Sequence, residues 1–187
     1  MIRLKCAIDP FLNALLFLKP FLKGKIYPGF KINKKSLVVD IGCGDKPFWR
    51  ADVFIDNQSL GNEQRFSSTG VISNLGLFVD CDIIKTPFKD KAFDFSFCSH
   101  VLEHVERPEL AIKEIVRISK QGYIEVPDGI IEVMSPYQSH LWFVFFSNNE
   151  LFFLRKSKKI HEILAKNGSK YSYLAKFIKE PFIRIYW

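Results

Sequence analysis

The chain has 187 residues, 48% of them hydrophobic and 25% charged, with a formal net charge of +7. That length buries a sizeable core as one domain with an extension, and the composition excludes general disorder. The four cysteines, Cys6, Cys43, Cys81 and Cys98, include no CxxC pair and fall partly in apolar runs, so reduced thiols in a cytoplasmic protein are expected rather than a disulfide scaffold.

The N-terminal run Phe11-Leu-Asn-Ala-Leu-Leu-Phe-Leu18 is preceded by Asp9 and Pro10 and stopped by Lys19, Pro20 and Lys23. It lacks a following small-residue cleavage site and falls far short of the roughly 20 apolar residues needed to span a bilayer. Residues 1–35 therefore read as an apolar and basic helical extension, either packed on the domain or in peripheral contact with a membrane surface. The net charge and the 19 phenylalanines suit anionic or membrane-surface partners, and the Lys- and Ile-rich composition explains the same charge equally well.

Residues 36–187 read as the main domain. Ser36-Leu-Val-Val-Asp-Ile41 is a short, β-branched apolar run, as expected of a strand buried on both faces, and Gly42-Cys-Gly44 ends it. Asp52-Val-Phe-Ile-Asp56 and Leu77-Phe-Val-Asp80 are the next strands, each ending in an acid, and the latter runs into Cys81-Asp82. Phe93-Asp-Phe-Ser-Phe-Cys98 is a fourth strand, Val101 to Val105 opens a helical stretch interrupted near Pro108, and Glu109 to Ser119 shows helical spacing of Leu110, Ala111, Ile112, Ile115, Val116 and Ile118. Gln121-Gly122 reads as a helix C-cap, and Tyr123-Ile-Glu-Val-Pro127 as a fifth strand. Alternating strands and helices predict a Rossmann-like α/β domain, a doubly wound and mostly parallel sheet flanked by helices, with its working edge at the carboxyl ends of the strands.

Residues 128–187 are less regular and read as an acceptor or cap region. Ser135 to Trp142 suggests a loop, Leu141-Trp-Phe-Val-Phe-Phe146 either a core strand or a lid, Leu151-Phe-Phe-Leu154 a strand, and Ile160 to Ala165 a helix. Ile183-Arg-Ile-Tyr-Trp187 reads as a strand cut off abruptly, which suggests a longer natural chain. The basic stretch Arg155 to Lys159 reads as a solvated face, and no nucleic-acid partner is expected.

The turn Asp40-Ile-Gly-Cys-Gly44 lets a ligand approach the backbone, because two of its residues have no side chain. Asp56, ending the next strand, can accept both hydroxyls of a ribose, and Asp82 with Ile83 can meet an adenine amino group and ring face. Asp80 reads instead as a solvated strand-end acid. Three acids at three successive strand ends suggest a nucleoside site.

The chain also resembles the class I S-adenosylmethionine-dependent methyltransferases, in particular the type 11 methyltransferase domains, over roughly residues 36 to 127. The resemblance rests on Val38-Val-Asp-Ile-Gly-Cys-Gly44, on Asp82 with Thr86-Pro-Phe88, on Ala92-Phe-Asp-Phe95, and on Ser99-His-Val-Leu-Glu-His-Val105 before Arg107-Pro108. It departs from the family pattern where Asp45-Lys-Pro47 replaces a third glycine and Gln121-Gly-Tyr123 replaces a double glycine. It implies S-adenosylmethionine as cofactor, with the methionine part on Asp40, Gly42, Cys43 and Gly44, the ribose on Asp56, the adenine at Asp82 and Ile83, and Ser99 and His100 beside the sulfonium. Methyl transfer needs aligned donor and nucleophile, and a general base only where the acceptor is a hydroxyl or protonated amine. His100, Glu103 and His104 are the candidate catalytic residues, with His140 a further base and, with Trp142, a candidate for the acceptor pocket. The acceptor itself is expected to be a small molecule or a saccharide or lipid-linked intermediate.

Three other functions compete. A binding module would hold the same cofactor without turnover. His100-Val-Leu-Glu-His104 also spells the H-x-x-E-H pattern of zinc peptidases, although Pro108 shortens the helix, no third ligand is evident and no metal is expected. A nicotinamide dehydrogenase is disfavoured because the turn lacks the full G-x-G-x-x-G pattern.

Overall fold

The computed structural model describes residues 2–5, 32–44, 47–57, 76–171, 178 and 181–187. Six strands form the main sheet: β2 (Val38–Ile41), β3 (Val53–Asp56), β4 (Leu77–Asp80), β5 (Phe93–Ser99), β6 (Ser119–Pro127) and β9 (Phe182–Tyr186), in the spatial order β4-β3-β2-β5-β6-β9. All neighbours are parallel except β6 and β9, which pair antiparallel with Tyr123 opposite Tyr186. The chain proceeds outward from β2 through β3 to β4, then returns to the other side of β2 with β5. Loops leaving β2 and β5 therefore diverge, and open α/β sheets form their crevice at such a point.

The near-continuous apolar strands follow from burial on both faces. Val39, Ile41, Ile55, Ile124 and Val126 point to one side and join Ala111, Ile115 and Ile118 of helix α1 (Pro108–Ile118). Val38, Phe54, Phe95, Phe97 and Tyr123 point to the other, where the Phe97 and Tyr123 rings stack at 5.4 Å. Helix α1 begins on Pro108, whose missing N–H costs nothing at a helix start.

The helix stops earlier than the sequence suggests. Ser119 already belongs to β6, and its hydroxyl donates to the Ile115 carbonyl at 2.6 Å. Gly122 is consequently not a helix cap but a residue inside β6, opposite Ser96. A side chain at Gly122 would collide with the Trp187 ring, so close packing rather than backbone conformation requires glycine there.

A second sheet has the order β1-β8-β7, made of β1 (Ile2–Lys5), β7 (Trp142–Ser147) and β8 (Glu150–Arg155), all antiparallel. Asn148 and Asn149 join β7 to β8 with φ of 49° and 59°, the conformation a two-residue hairpin requires. The aromatic run is thus a core strand, and Trp142, Val144, Leu151 and Phe153 share one buried cluster with Ile41 and Ile124. At the N-terminus, Ile2–Lys5 is an edge strand rather than helix, consistent with its apolar-polar alternation. The apolar run of residues 11–18 lies outside the described residues. Among the described residues two further α-helices follow, the short α2 (Gly129–Met134), which the sequence did not announce, and α3 (Lys158–Tyr171). Among the described residues, no helix is long and apolar enough to cross a membrane.

Replacing Gly122 with Ala should destabilise the fold by about 1–3 kcal/mol through overpacking. Urea denaturation measures this, and adding Trp187→Ala should recover part of the loss. An unchanged midpoint for Gly122→Ala would refute the packing account.

Candidate functional site

The turn after β2 is held from three sides. Gly42 and Gly44 have φ of 67° and 51°, which favours glycine, and a side chain at Gly42 would collide with Val101. The Gly42 and Cys43 amides both donate to the Ile55 carbonyl, at 2.7 and 3.3 Å. Asp56 accepts the Gly44 amide on one carboxylate oxygen at 2.8 Å and the Asn57 amide on the other at 2.7 Å. Asp40 is buried and accepts the Phe48 amide at 2.7 Å, which pins the loop leaving the turn. Across the crevice, Asp82 accepts the Ile84 amide at 3.0 Å, so its own loop is held by the side chain that faces the ligand space.

At the end of β5 the chain passes through His100 with φ of 59°. Its amide donates to the Glu125 carbonyl at 2.9 Å, and its ring lies between two carboxylates, with Nδ1 3.2 Å from Glu103 and Nε2 3.4 Å from Glu125. Burial disfavours the imidazolium, but hydrogen bonds to Glu103 and Glu125 outweigh it and raise His100 to about 9. Glu125 is similarly balanced: burial resists ionisation, while His100, Tyr123 and Arg184 lower it to about 2. The Tyr123 hydroxyl donates to Glu125 at 2.6 Å, Arg184 Nε at 2.8 Å and the Ser99 hydroxyl at 3.1 Å.

The short 3-10 helix Leu102–His104 follows. Its Glu103 is fully buried, and its His104 donates from Nδ1 to the Ser139 carbonyl at 3.2 Å. Burial is the main reason that His104 is lowered below the usual histidine value. His140 lies edge-on to it, ring centres 4.7 Å apart, and donates from Nδ1 to Glu132 at 2.6 Å. Glu132 is held in turn by the buried Lys156.

These groups surround one cavity of about 840 Å³. Of the residues singled out in the sequence, Asp40, Gly42, Cys43, Gly44, Asp56, Asp82, Ile83, Ser99, His100 and His104 line it, whereas Glu103 lies behind His100. His140 lines it too, but Trp142 turns away into the core and donates to the Val105 carbonyl at 2.8 Å. Asp80 is not part of the wall. Sequence reasoning missed Glu125, which clamps His100 from outside the wall, and Glu132, Tyr137 and Phe182 in the lining. Glu125 carried a signal, a lone acid inside the apolar run of β6; Glu132 sits on a short helix with no periodic pattern.

Residues 39–124, which carry the glycine turn, Asp56, Asp82, His100 and Glu103, match the family model described as a methyltransferase domain. Over this segment the chain is similar to class I methyltransferase domains. The cofactor of that family is S-adenosylmethionine. A ubiquinone/menaquinone biosynthesis C-methyltransferase, UbiE, of Klebsiella pneumoniae is 27% identical over 134 residues, which cover 69% of this chain and 48% of that protein. The chain thus spans about half the length of the curated relatives it matches. Similar solved structures include an S-adenosylmethionine-dependent methyltransferase of Mesorhizobium loti (14% identity, 81% of this chain and 90% of that one, TM-score 0.45). Another, from Thermotoga maritima, shows 22% identity over 63% of this chain and 50% of that one, with a TM-score of 0.41.

Within this segment the H-x-x-E-H run does not form the paired-histidine helix of a zinc peptidase. Its helical part is three residues long, and both ring nitrogens of His100 face carboxylates.

The His100 clamp makes a prediction about pH. Because its folded value lies above the ordinary 6.5, the clamp's contribution is complete below about 6.5 and is lost as pH rises through about 9. Histidine ring resonances followed by NMR should give His100 a midpoint near 9 in the wild type and a lower one in Glu125→Gln. A wild-type midpoint near 6.5 would contradict the clamp.

Proposed function

We propose that this chain is an S-adenosylmethionine-dependent methyltransferase acting on a small-molecule acceptor. The observation that carries this reading is that one cavity joins two differently built halves. One half is the glycine turn with Asp56, Asp82 and Ile83; the other is formed by His104, Glu132, Tyr137 and His140. At about 840 Å³ the cavity lies high in the range of about 300–1,000 Å³ occupied by small-molecule sites, which suits a cofactor and a small acceptor together.

In this reading Asp56 takes the ribose hydroxyls, Asp82 and Ile83 the adenine, and the glycine turn the methionine portion. Ser99 and His100 flank the sulfonium. The acceptor's nucleophile forms a bond to the methyl carbon as the carbon–sulfur bond breaks, leaving a neutral thioether. The contribution of the site is alignment. His100, charged and held at both nitrogens, is a positioning residue. His104, kept neutral by burial with its Nδ1 proton on Ser139, presents Nε2 as a lone pair and is the better base for a hydroxyl or ammonium acceptor.

The basic stretch favours a small acceptor over nucleic acid. Arg155 pairs with Glu106 and lies over the Trp142 ring at 5.3 Å, and Lys156 is buried against Glu132. Two of its charges are thus already engaged, where phosphate binding requires available ones.

Calorimetric titration with S-adenosylmethionine should show one site, weakened at least tenfold, or about 1.4 kcal/mol, in Asp56→Ala. Release of S-adenosylhomocysteine should then appear with a member of a panel of small hydroxyl and amine acceptors. Binding without release from any acceptor would favour the non-catalytic module, and no binding by the folded protein would overturn the proposal.

A further inference from the structure

We infer that Glu103, His104 and His140 form a binding site for one divalent transition-metal ion in the acceptor half of the cavity. Three independent features of these side chains point to it.

The first is convergence. Each residue brings a donor atom within 4.8 Å of those of the other two. An ion at the centre of such a triangle lies at most about 2.8 Å from each donor, against metal bonds of about 2.0–2.2 Å to histidine nitrogen and carboxylate oxygen. Small side-chain rotations close the difference.

The second is the state of the imidazoles. A carbonyl only accepts, so the contact of His104 Nδ1 with Ser139 places the proton on Nδ1 and leaves Nε2 as a lone pair. Glu132 likewise accepts from Nδ1 of His140, so that the lone pair of its neutral ring is also on Nε2. His140 Nε2 lies 3.9 Å from Glu103, beyond hydrogen-bond distance. An acceptor behind each metal-binding imidazole, fixing its tautomer and orientation, is the usual outer shell of a metal site. Lys156 holds the second oxygen of Glu132, which fixes that carboxylate behind His140.

The third is an unsatisfied group. Glu103 has no exposed surface, and its Oε2 has no hydrogen-bond partner, although Oε1 meets His100. A buried carboxylate oxygen without a partner is costly, and a cation beside it removes the cost.

Two imidazoles and one carboxylate suit zinc, iron(II), cobalt or nickel better than magnesium or calcium, which prefer oxygen ligands. Because His104 and His140 both line the cavity, the remaining coordination position faces it. There it takes a water or, resting on the methyltransferase reading above, an acceptor oxygen. With its Nε2 on the ion, His104 no longer serves as the base; a hydroxyl held on the metal instead sheds its proton to solvent more readily and attacks the methyl carbon as an alkoxide or phenolate, while the sulfur leaves as a thioether.

The test is titration of the full, untagged and chelator-treated protein with zinc, followed by calorimetry and elemental analysis, without S-adenosylmethionine. We expect one equivalent bound at micromolar or tighter affinity, weakened at least tenfold in His140→Ala and in the near-isosteric Glu103→Gln, with folding checked by circular dichroism. Cobalt(II) should give the visible absorption of a four- or five-coordinate nitrogen and oxygen site, lost in both variants. Asp56→Ala should bind zinc as the wild type does, so that loss of cofactor binding and loss of metal binding are separable. No zinc binding by the folded wild type, or binding unchanged in both variants, would overturn the inference and leave the cofactor assignment standing.

Discussion

A histidine held between two buried carboxylates sets the geometry on which the rest of the cavity depends. His100 sits where β5 must end and the chain must turn into the crevice, and it does so with a left-handed backbone that a non-glycine residue adopts at some cost. The cost is offset by its amide bond to Glu125 and by charge pairing on both sides of the ring. Glu125 is in turn fixed by Tyr123 and by Arg184 of β9, so the antiparallel edge strand, remote from the glycine turn in sequence, bears on a residue of the cavity wall. On the other side, Glu103 carries the clamp into the second sheet, because its carbonyl accepts the amide of Leu141 at 2.8 Å. Loss of any one member leaves a buried charge without its partner, the circumstance in which buried ion pairs matter most for stability.

The part of the fold that follows local rules was legible in the sequence. Short apolar runs mark β2 and β3, because a strand buried on two faces has no polar alternation, and β3 ends in Asp56 where the chain emerges. Gly42 was legible for the same local reason, since a strand-to-loop turn with positive φ favours glycine. Gly122 was misread because its constraint comes from Trp187, 65 residues away in sequence and one strand away in space. No pattern of neighbours discloses such a contact. The N-terminal residues 2–5 pair with a strand some 150 residues later, a contact of the same long-range kind.

The site divides along the same line. Glycine turn and strand-end acids each stand out within their own segments and could be picked out one by one, although β3 also holds the turn. The half around His104 and His140 is a meeting of the 3-10 helix, α2, the loop of residues 135–141 and Lys156 just after β8, and none of these is informative alone. Glu132 would pass for a solvated helix residue, yet it accepts hydrogen bonds from His140, the Tyr137 amide and Lys156, three groups on two other segments. His140 was visible as a histidine in a loop, but its value depends on Glu132 behind it and Glu103 beside it.

This difference in construction bears on how the protein can vary. The half at the glycine turn is held largely by main-chain groups, such as the amides of Gly44 and Phe48 on Asp56 and Asp40, so many side chains around it can change without moving it. The polar floor of the other half is a connected set of side chains in which His104, His140, Glu103, Glu132 and Lys156 constrain one another, so a single change there leaves at least one buried polar group unsatisfied. Specificity for different acceptors is therefore more easily altered at residues that touch the cavity without belonging to that set. Ile131, Leu141 and Phe182 line it with apolar surface, and exchanging them alters shape at a modest cost in packing while the polar floor stays intact.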